Sequence, residues 1–131
     1  MKNKVASVML IDDNDDDNLF HERVLKKSGI TDTIFTATSA FEALNQLSTF
    51  EKAPALIFLD INMPQMNGFD FLDAYKRMNL SKNHNAIIIM LTTSLNPTDR
   101  DKAARNKLIT EFRTKPLAKE ALEEIADRYF P

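Results

Sequence analysis

Short apolar runs alternate with longer amphipathic segments along the whole chain of 131 residues. Four runs of five to seven residues are mostly apolar or β-branched, which is typical of strands buried on both faces of a sheet. A fifth and weaker run precedes the C-terminal segment. The predicted strands are 5–11, 33–37, 55–61, 86–91 and 108–112.

The segments between these runs have helical spacing and recognisable helix ends. Residues 15–28 have acids in the first turn and lysines in the last, which suits the helix dipole, and Gly29 can end this helix. Ser39 and Glu42 spell a capping box, and Asn96-Pro97 predicts another helix start. The predicted helices are 15–28, 39–50, 69–79, 96–106 and a last one that ends near Phe130.

This alternation predicts an α/β fold, a (βα)5 doubly wound parallel sheet with helices on both faces. The connections between parallel neighbours should be right-handed. We expect residues 1–131 to form one domain with no fused output domain. Function in such a sheet is expected at the carboxyl ends of the strands.

Composition and charge exclude several classes of protein. With 44% apolar and 27% charged residues, the chain should fold rather than remain disordered. The absence of Cys excludes a disulfide scaffold and a thiolate metal site, and the net charge of −2 gives no support for nucleic-acid binding. The longest apolar run has six residues and no export signal is present, so we expect a cytoplasmic protein without a membrane partner.

Five of the 19 acidic residues lie between Asp12 and Asp17, and the first of them end the first strand. Carboxylates this close repel one another unless a cation neutralises them, and oxygen ligands without Cys favour Mg²⁺. A lysine and a hydroxyl at the same edge could hold a phosphoryl group. The residues at the predicted strand ends are Asp12, Asp13, Asp60, Thr92 and Lys115.

Asp60 ends a central apolar strand, so its position should be fixed, and we expect it to be the nucleophile in phosphoryl transfer. Plainer interpretations exist for other polar residues. Residues 15–17 are expected to be solvated acids in the first turn of a helix. His21 and His84 are interpreted as surface residues because neither is near a predicted strand end.

Four motifs together resemble the response regulator receiver domain, the CheY-like family. They are IDDN at 11–14, FLDINMPQMNG at 58–68, MLTTS at 90–94 and FRTKPL at 112–117. The resemblance extends over the whole chain with normal spacing. It implies strand order 2-1-3-4-5 and a stand-alone, single-domain response regulator of a two-component or phosphorelay system.

The resemblance also implies a role for each motif residue. Asp60 would accept a phosphoryl group from a sensor histidine kinase or a histidine phosphotransfer protein. Lys115 and Thr92 would contact that group, and Phe112 would be the aromatic switch residue. The Lys115–Pro116 peptide bond is the candidate for a cis bond. The implied Mg²⁺ ligands are Asp12, Asp13, Asp60 and the backbone carbonyl of Asn62.

Signalling in this family implies a conformational switch rather than enzymatic turnover, with slow self-dephosphorylation. The fourth helix, fifth strand and fifth helix would form the face that binds a downstream protein target. The resemblance leaves open a monomer or a weak homodimer.

Two other functions stay open at this point. One is an aspartate-nucleophile phosphatase, although that chemistry needs an Asp two residues after the nucleophile and this chain has Asn62 there. The other is a receiver that drains phosphoryl groups without an output of its own. A calcium-binding loop starting at Asp13 is rejected because Asn18 and Val24 stand where Gly and Glu are needed.

Overall fold

The structure of the protein, a computed structural model, describes residues 5–80, 85–93 and 96–131. Strands and helices alternate along these residues. Their bounds are β1 Val8–Ile11, α1 Asp15–Ser28, β2 Ile34–Ala37, α2 Ala40–Thr49, β3 Leu56–Asp60, α3 Gly68–Arg77, β4 Ile87–Thr92, α4 Pro97–Arg105, β5 Glu111–Thr114 and α5 Lys119–Tyr129.

The five strands form one parallel sheet in the order β2-β1-β3-β4-β5. The predicted fold class and strand order are therefore confirmed. After β1 the chain forms β2 on one side of β1 and then returns to form β3 on the opposite side of β1. The strand order thus reverses between β1 and β3, where the neighbouring ends leave a crevice.

Helices cover both faces of the sheet, which explains why the central strands are apolar without alternation. Helices α2, α3 and α4 pack on one face, where Met9 and Ile57 of the strands contribute to the core. Helices α1 and α5 pack on the other, against Leu10 and Phe58. None of the described helices is long and apolar enough to cross a membrane.

The helix ends follow the predicted local chemistry. Asn14 caps α1 by accepting from the backbone N–H groups of two of the acids that follow, and Gly29 ends the helix at φ 74°. The Ser39 hydroxyl accepts from the N–H of Glu42 at 3.0 Å, as a capping box requires. The Glu42 carboxylate, however, accepts from the N–H of Thr38 rather than from the capping residue.

The fifth strand begins later than predicted. Leu108 and Ile109 lie in a turn, because Asn106 accepts the N–H of Leu108 through its side chain and the N–H of Ile109 through its carbonyl. Both residues pack against the core without belonging to a strand. The strand itself is Glu111–Thr114 at the edge of the sheet, where one polar side can face solvent.

Candidate functional site

Three carboxylates converge at the carboxyl ends of β1 and β3. Asp12 directly follows β1 and Asp60 is the last residue of β3, and both are buried, whereas Asp13 is exposed. One oxygen from each of the three carboxylates lies within 4.8 Å of the other two. Hard oxygen donors at this spacing fit a single divalent cation such as Mg²⁺.

Helix α1 fixes the position of Asp12. The side-chain amide of Asn18 donates to the carbonyl oxygens of Asp12 at 3.0 Å and of Ala37 at 3.2 Å, which ties α1 to the ends of β1 and β2. The N–H of Asn14 donates to Oδ1 of Asp12 at 3.0 Å. This leaves Oδ2 of Asp12 directed to other partners in the site.

The loop after β3 returns closely to the strand that carries Asp60. The N–H of Gly68 donates to the carbonyl of Ile61 at 2.8 Å. A Cβ atom at position 68 would lie 2.7 Å from the carbonyl oxygen of Asp60, so only glycine fits here without a shift of the backbone. Asn62 lies in this loop, with an exposed side chain, two residues after Asp60.

Lys115 crosses from the end of β5 into the cluster of carboxylates. Its Nζ lies 2.5 Å from Oδ2 of Asp12, 2.9 Å from Oδ2 of Asp17 and 3.5 Å from Oδ1 of Asp60. Its backbone N–H donates to the carbonyl of Thr92 at 2.8 Å, and its bond to Pro116 is cis. The lysine side chain is only 9% exposed, so these charges interact with little solvent between them.

The expectation that the acids of the first α1 turn are merely solvated is therefore wrong for Asp17. Its carboxylate, 36% exposed, forms an ion pair with Lys115 from a position 98 residues away in the chain. The acids Asp15 and Asp16 are exposed, as expected.

The shared burial of these groups shifts their proton affinities. Burial and the charges of Asp12 and Asp13 raise the pKa of Asp60 to about 6, although Lys115 opposes the shift. Burial lowers the pKa of Lys115, but its hydrogen bonds to Asp12 and Asp17 outweigh that effect and raise the pKa above its ordinary value. The lysine therefore remains an ammonium group, and a cation at the carboxylates would favour the ionised form of Asp60.

Two further residues singled out in the sequence lie on the neighbouring strands. Thr92 ends β4, is fully buried and is in register with Thr114 of β5. Phe112 of β5 is half-buried against the core on the α4 side, and the guanidinium carbon of Arg100 lies 5.8 Å from its ring centroid. This distance corresponds to a cation–π contact between α4 and β5.

His21 is a residue whose importance the sequence interpretation missed. It is buried, not at the surface, and its Nε2 accepts a hydrogen bond from the N–H of Leu117 at 3.3 Å. The helical spacing from Asn18 to His21 to Leu25 places all three on the buried face of α1, and that signal was present in the sequence. His84 lies outside the described residues.

Comparison with known proteins gives matches over nearly the whole chain. The family model of the response regulator receiver domain matches residues 8–127. The chain is 34% identical over 121 residues to the sensor histidine kinase CheAY of Helicobacter pylori, which covers 92% of this chain but only 14% of that protein. It is 33% identical over 121 residues to protein PilG of Pseudomonas aeruginosa, which covers 88% of this chain and 80% of that protein.

Solved structures give the same result. A two-component response regulator from Cytophaga hutchinsonii superposes with a TM-score of 0.86 at 30% identity, and the match covers 98% of each chain. The chemotaxis protein CheY4 of Vibrio cholerae superposes with a TM-score of 0.78 at 27% identity, covering 95% of this chain and 98% of that one.

Proposed function

This chain belongs to the response regulator receiver domain family of two-component signalling, and on that basis we propose that it is a phosphoacceptor switch. In this proposal residues 1–131 act as one receiver domain in the cytoplasm. Asp60 accepts a phosphoryl group from a sensor histidine kinase or a histidine phosphotransfer protein. One observation carries the proposal. The buried carboxylate of Asp60 lies beside two other carboxylates and beside the ammonium group of Lys115.

The residues at the strand ends fit a Mg²⁺ site. Asp12, Asp13 and Asp60 supply the carboxylate oxygens, and the carbonyl of Asn62 is proposed as a further ligand. Bound there, Mg²⁺ would neutralise negative charge on the phosphoryl oxygens during transfer. Asp12 keeps its Oδ1 fixed by the N–H of Asn14, so the side chain is oriented before any cation binds.

The chemistry of phosphoryl transfer follows from the proposed nucleophile, Asp60, and the ammonium group of Lys115 beside it. A carboxylate oxygen of Asp60 attacks the phosphorus atom, and the bond from phosphorus to the donor histidine nitrogen breaks, leaving its electron pair on that nitrogen. Lys115, already 3.5 Å from Asp60, pairs with the phosphoryl oxygens. The hydroxyl of Thr92 donates a hydrogen bond to the same group.

The resulting acyl phosphate should persist long enough to signal. Asn62 stands where a phosphatase of the aspartate-nucleophile type has an acid/base Asp, and its amide cannot donate or accept a proton for turnover. We therefore favour a single phosphorylation event with slow self-dephosphorylation over repeated hydrolysis of phosphomonoesters.

Phosphorylation would act on the rest of the molecule through Thr92 and Phe112. A phosphoryl group adds about −1.5 to −2 charge and three acceptor oxygens, which favours a conformation in which Thr92 moves toward it. Phe112 then takes the space that Thr92 leaves, and the face formed by α4, β5 and α5 changes shape. We propose that this face binds a downstream protein target, with the chain a monomer or a weak homodimer.

The experiment is phosphorylation by acetyl phosphate, followed by intact mass measurement. The wild-type protein should gain one phosphoryl group with Mg²⁺ present and none when the metal is chelated. Asp60→Asn should gain none, whereas Asp73→Asn, the same change at an exposed site on α3, should react like the wild type. Uptake by Asp60→Asn would show that the phosphoacceptor is a different residue, and steady turnover of a phosphomonoester would favour the phosphatase instead.

A further inference from the structure

A buried histidine supports the segment that carries Lys115. Nε2 of His21 accepts the N–H of Leu117 at 3.3 Å, and both residues are nearly completely buried, with exposures of 3% and 2%. Leu117 is the second residue after Lys115, and Pro116 between them has no N–H to donate. The hydrogen bond to His21 therefore anchors the first backbone N–H after the lysine.

Helix α1 contacts this segment at two points of one face. Asp17 and His21 are four residues apart and so lie above one another on the helix. Asp17 pairs with the side chain of Lys115, and His21 holds the backbone two residues farther on. The lysine is thus fixed from α1 at its charged end and at the chain that follows it.

We propose that His21 is a positioning residue for Lys115, which it holds beside Asp60 by accepting the N–H of Leu117. The inference rests on the proposed function, because Lys115 matters there as the partner of the phosphoryl group. An apolar residue could fill the same space, but it would leave the N–H of Leu117 buried without an acceptor. The segment would then shift to satisfy that group, and the Nζ of Lys115 would move with it.

The charges around His21 agree with its use as an acceptor. Burial and the nearby ammonium of Lys115 lower the pKa of His21, against the opposing charges of Asp17 and Asp12. The imidazole is therefore neutral at neutral pH. With Nε2 accepting, its proton resides on Nδ1.

Two substitutions separate the hydrogen bond from simple packing. His21→Gln places a carbonyl oxygen at about the reach of Nε2, whereas His21→Leu fills the space without an acceptor. His21→Leu should slow phosphorylation by acetyl phosphate about threefold to tenfold, since displacement of a positioned group by a fraction of an ångström has effects of this order. His21→Gln should stay within about twofold of wild type.

A second readout does not depend on phosphorylation. Amide hydrogen exchange should become faster in His21→Leu at Leu117 and also at Lys115, whose N–H is bonded to the carbonyl of Thr92. His21→Gln should keep both amides protected. A wild-type protein that takes up no phosphoryl group would overturn the proposed function, while the exchange data would still decide the role of His21.

Several results would contradict the inference. Equal losses in His21→Gln and His21→Leu would mean that the acceptor atom has no part in the effect. Faster exchange at Leu117 alone, with Lys115 still protected and the phosphorylation rate unchanged, would show that His21 holds only Leu117 and does not position Lys115.

Discussion

The charges at the site are arranged so that one buried lysine compensates several carboxylates. Lys115 has Asp12 and Asp17 as its nearer partners and Asp60 at 3.5 Å. Asp60 is therefore the least well compensated of the buried acids, which agrees with its raised pKa. Burial and the neighbouring carboxylates oppose the ionised form of Asp60, and a further cation bound at these carboxylates would favour it.

This arrangement predicts that Asp60 destabilises the metal-free protein at neutral pH. Its pKa rises from 3.8 to about 6, so the folded state binds the proton more tightly than the unfolded state. Stability from this group is therefore greatest at low pH and is lost as the pH rises from about 4 to about 6. Asp60→Asn should raise the free energy of unfolding at pH 7.5 by about 1–2 kcal/mol, less than the full shift implies because the amide of the buried Asn must itself be removed from water.

Urea denaturation without Mg²⁺ measures this effect. The gain from Asp60→Asn should be present at pH 7.5 and nearly absent at pH 4. A gain of equal size at both values, or no gain at pH 7.5, would contradict the electrostatic interpretation of the buried carboxylate.

At this scale the sequence predicted the residues at strand ends and missed those that reach them from a helix. Asp12, Asp60 and Lys115 could be placed because strand ends in a parallel sheet share one edge. Asp17 and His21 lie in a helix; the position of Asp17 suited a solvated acid, and the helical spacing that places His21 on the buried face did not indicate its partner. Their partners lie nearly a hundred residues away, and only the packing of α1 beside the loop after β5 makes them neighbours.

Among the connecting elements, the loop from β3 to α3 is the one whose shape most directly affects the site. It returns so closely that position 68 has no room for a side chain beside the carbonyl of Asp60. Gly29 at the end of α1 differs, because its glycine is required by φ 74° while nothing lies within 4 Å of a Cβ atom there. Glycine is therefore needed at position 68 because a side chain would clash, and at position 29 because of the backbone conformation.

Alanine at each position should have a distinct effect. Gly68→Ala should destabilise the fold by about 2–3 kcal/mol and slow phosphorylation, because the backbone that carries Asp60 must move. Gly29→Ala should cost about 1 kcal/mol and leave the rate of phosphorylation unchanged. Thermal denaturation and intact mass kinetics measure both effects. A Gly68→Ala protein with wild-type stability and rate would show that the loop has more freedom than the structure indicates.

Element boundaries were predictable where side chains cap a helix or fill the core, and less so at the edge of the sheet. The start of α4 followed from Asn96-Pro97, and Asn96 does accept the N–H of Asp99. The start of β5 did not follow from hydrophobicity. Leu108 and Ile109 are apolar because they pack against the core, but they do so from a turn and not from a strand. A short, mixed edge strand has no periodic signal of its own.

Over the whole molecule, alternation of strands and helices predicted a parallel sheet but not its strand order. That order came from the likeness of four motifs to a known family, and the structure agrees with it. The order matters for function because it places β1, β3 and β4 side by side, so their carboxyl ends form one site. It also places β5 beside β4, with Phe112 of β5 in contact with Arg100 of α4, and in the proposed switch this is the route from Thr92 to the surface.

We therefore expect phosphorylation to alter the molecule asymmetrically. Amide chemical shifts should change along β4, β5 and α4 and remain nearly constant in the part of α2 that contacts β2, the strand at the opposite edge of the sheet from β5. Thr92→Ala should still accept the phosphoryl group, but its shift changes around Phe112 should fall to about half or less of those in wild type. Full-sized changes in Thr92→Ala would remove Thr92 from the switch, and changes confined to the strand ends would mean that no switch exists.

The proposed function requires that Asp60 itself becomes an acyl phosphate in a metal-dependent reaction. The most direct measurement treats the protein with acetyl phosphate and Mg²⁺, reduces the product with borohydride, and maps the modified residue by peptide mass spectrometry. Borohydride converts an aspartyl phosphate to homoserine, so we expect homoserine at position 60 and nowhere else, and none when Mg²⁺ is chelated. Homoserine at another aspartate, or a borohydride-resistant phosphate on a serine or threonine, would contradict it.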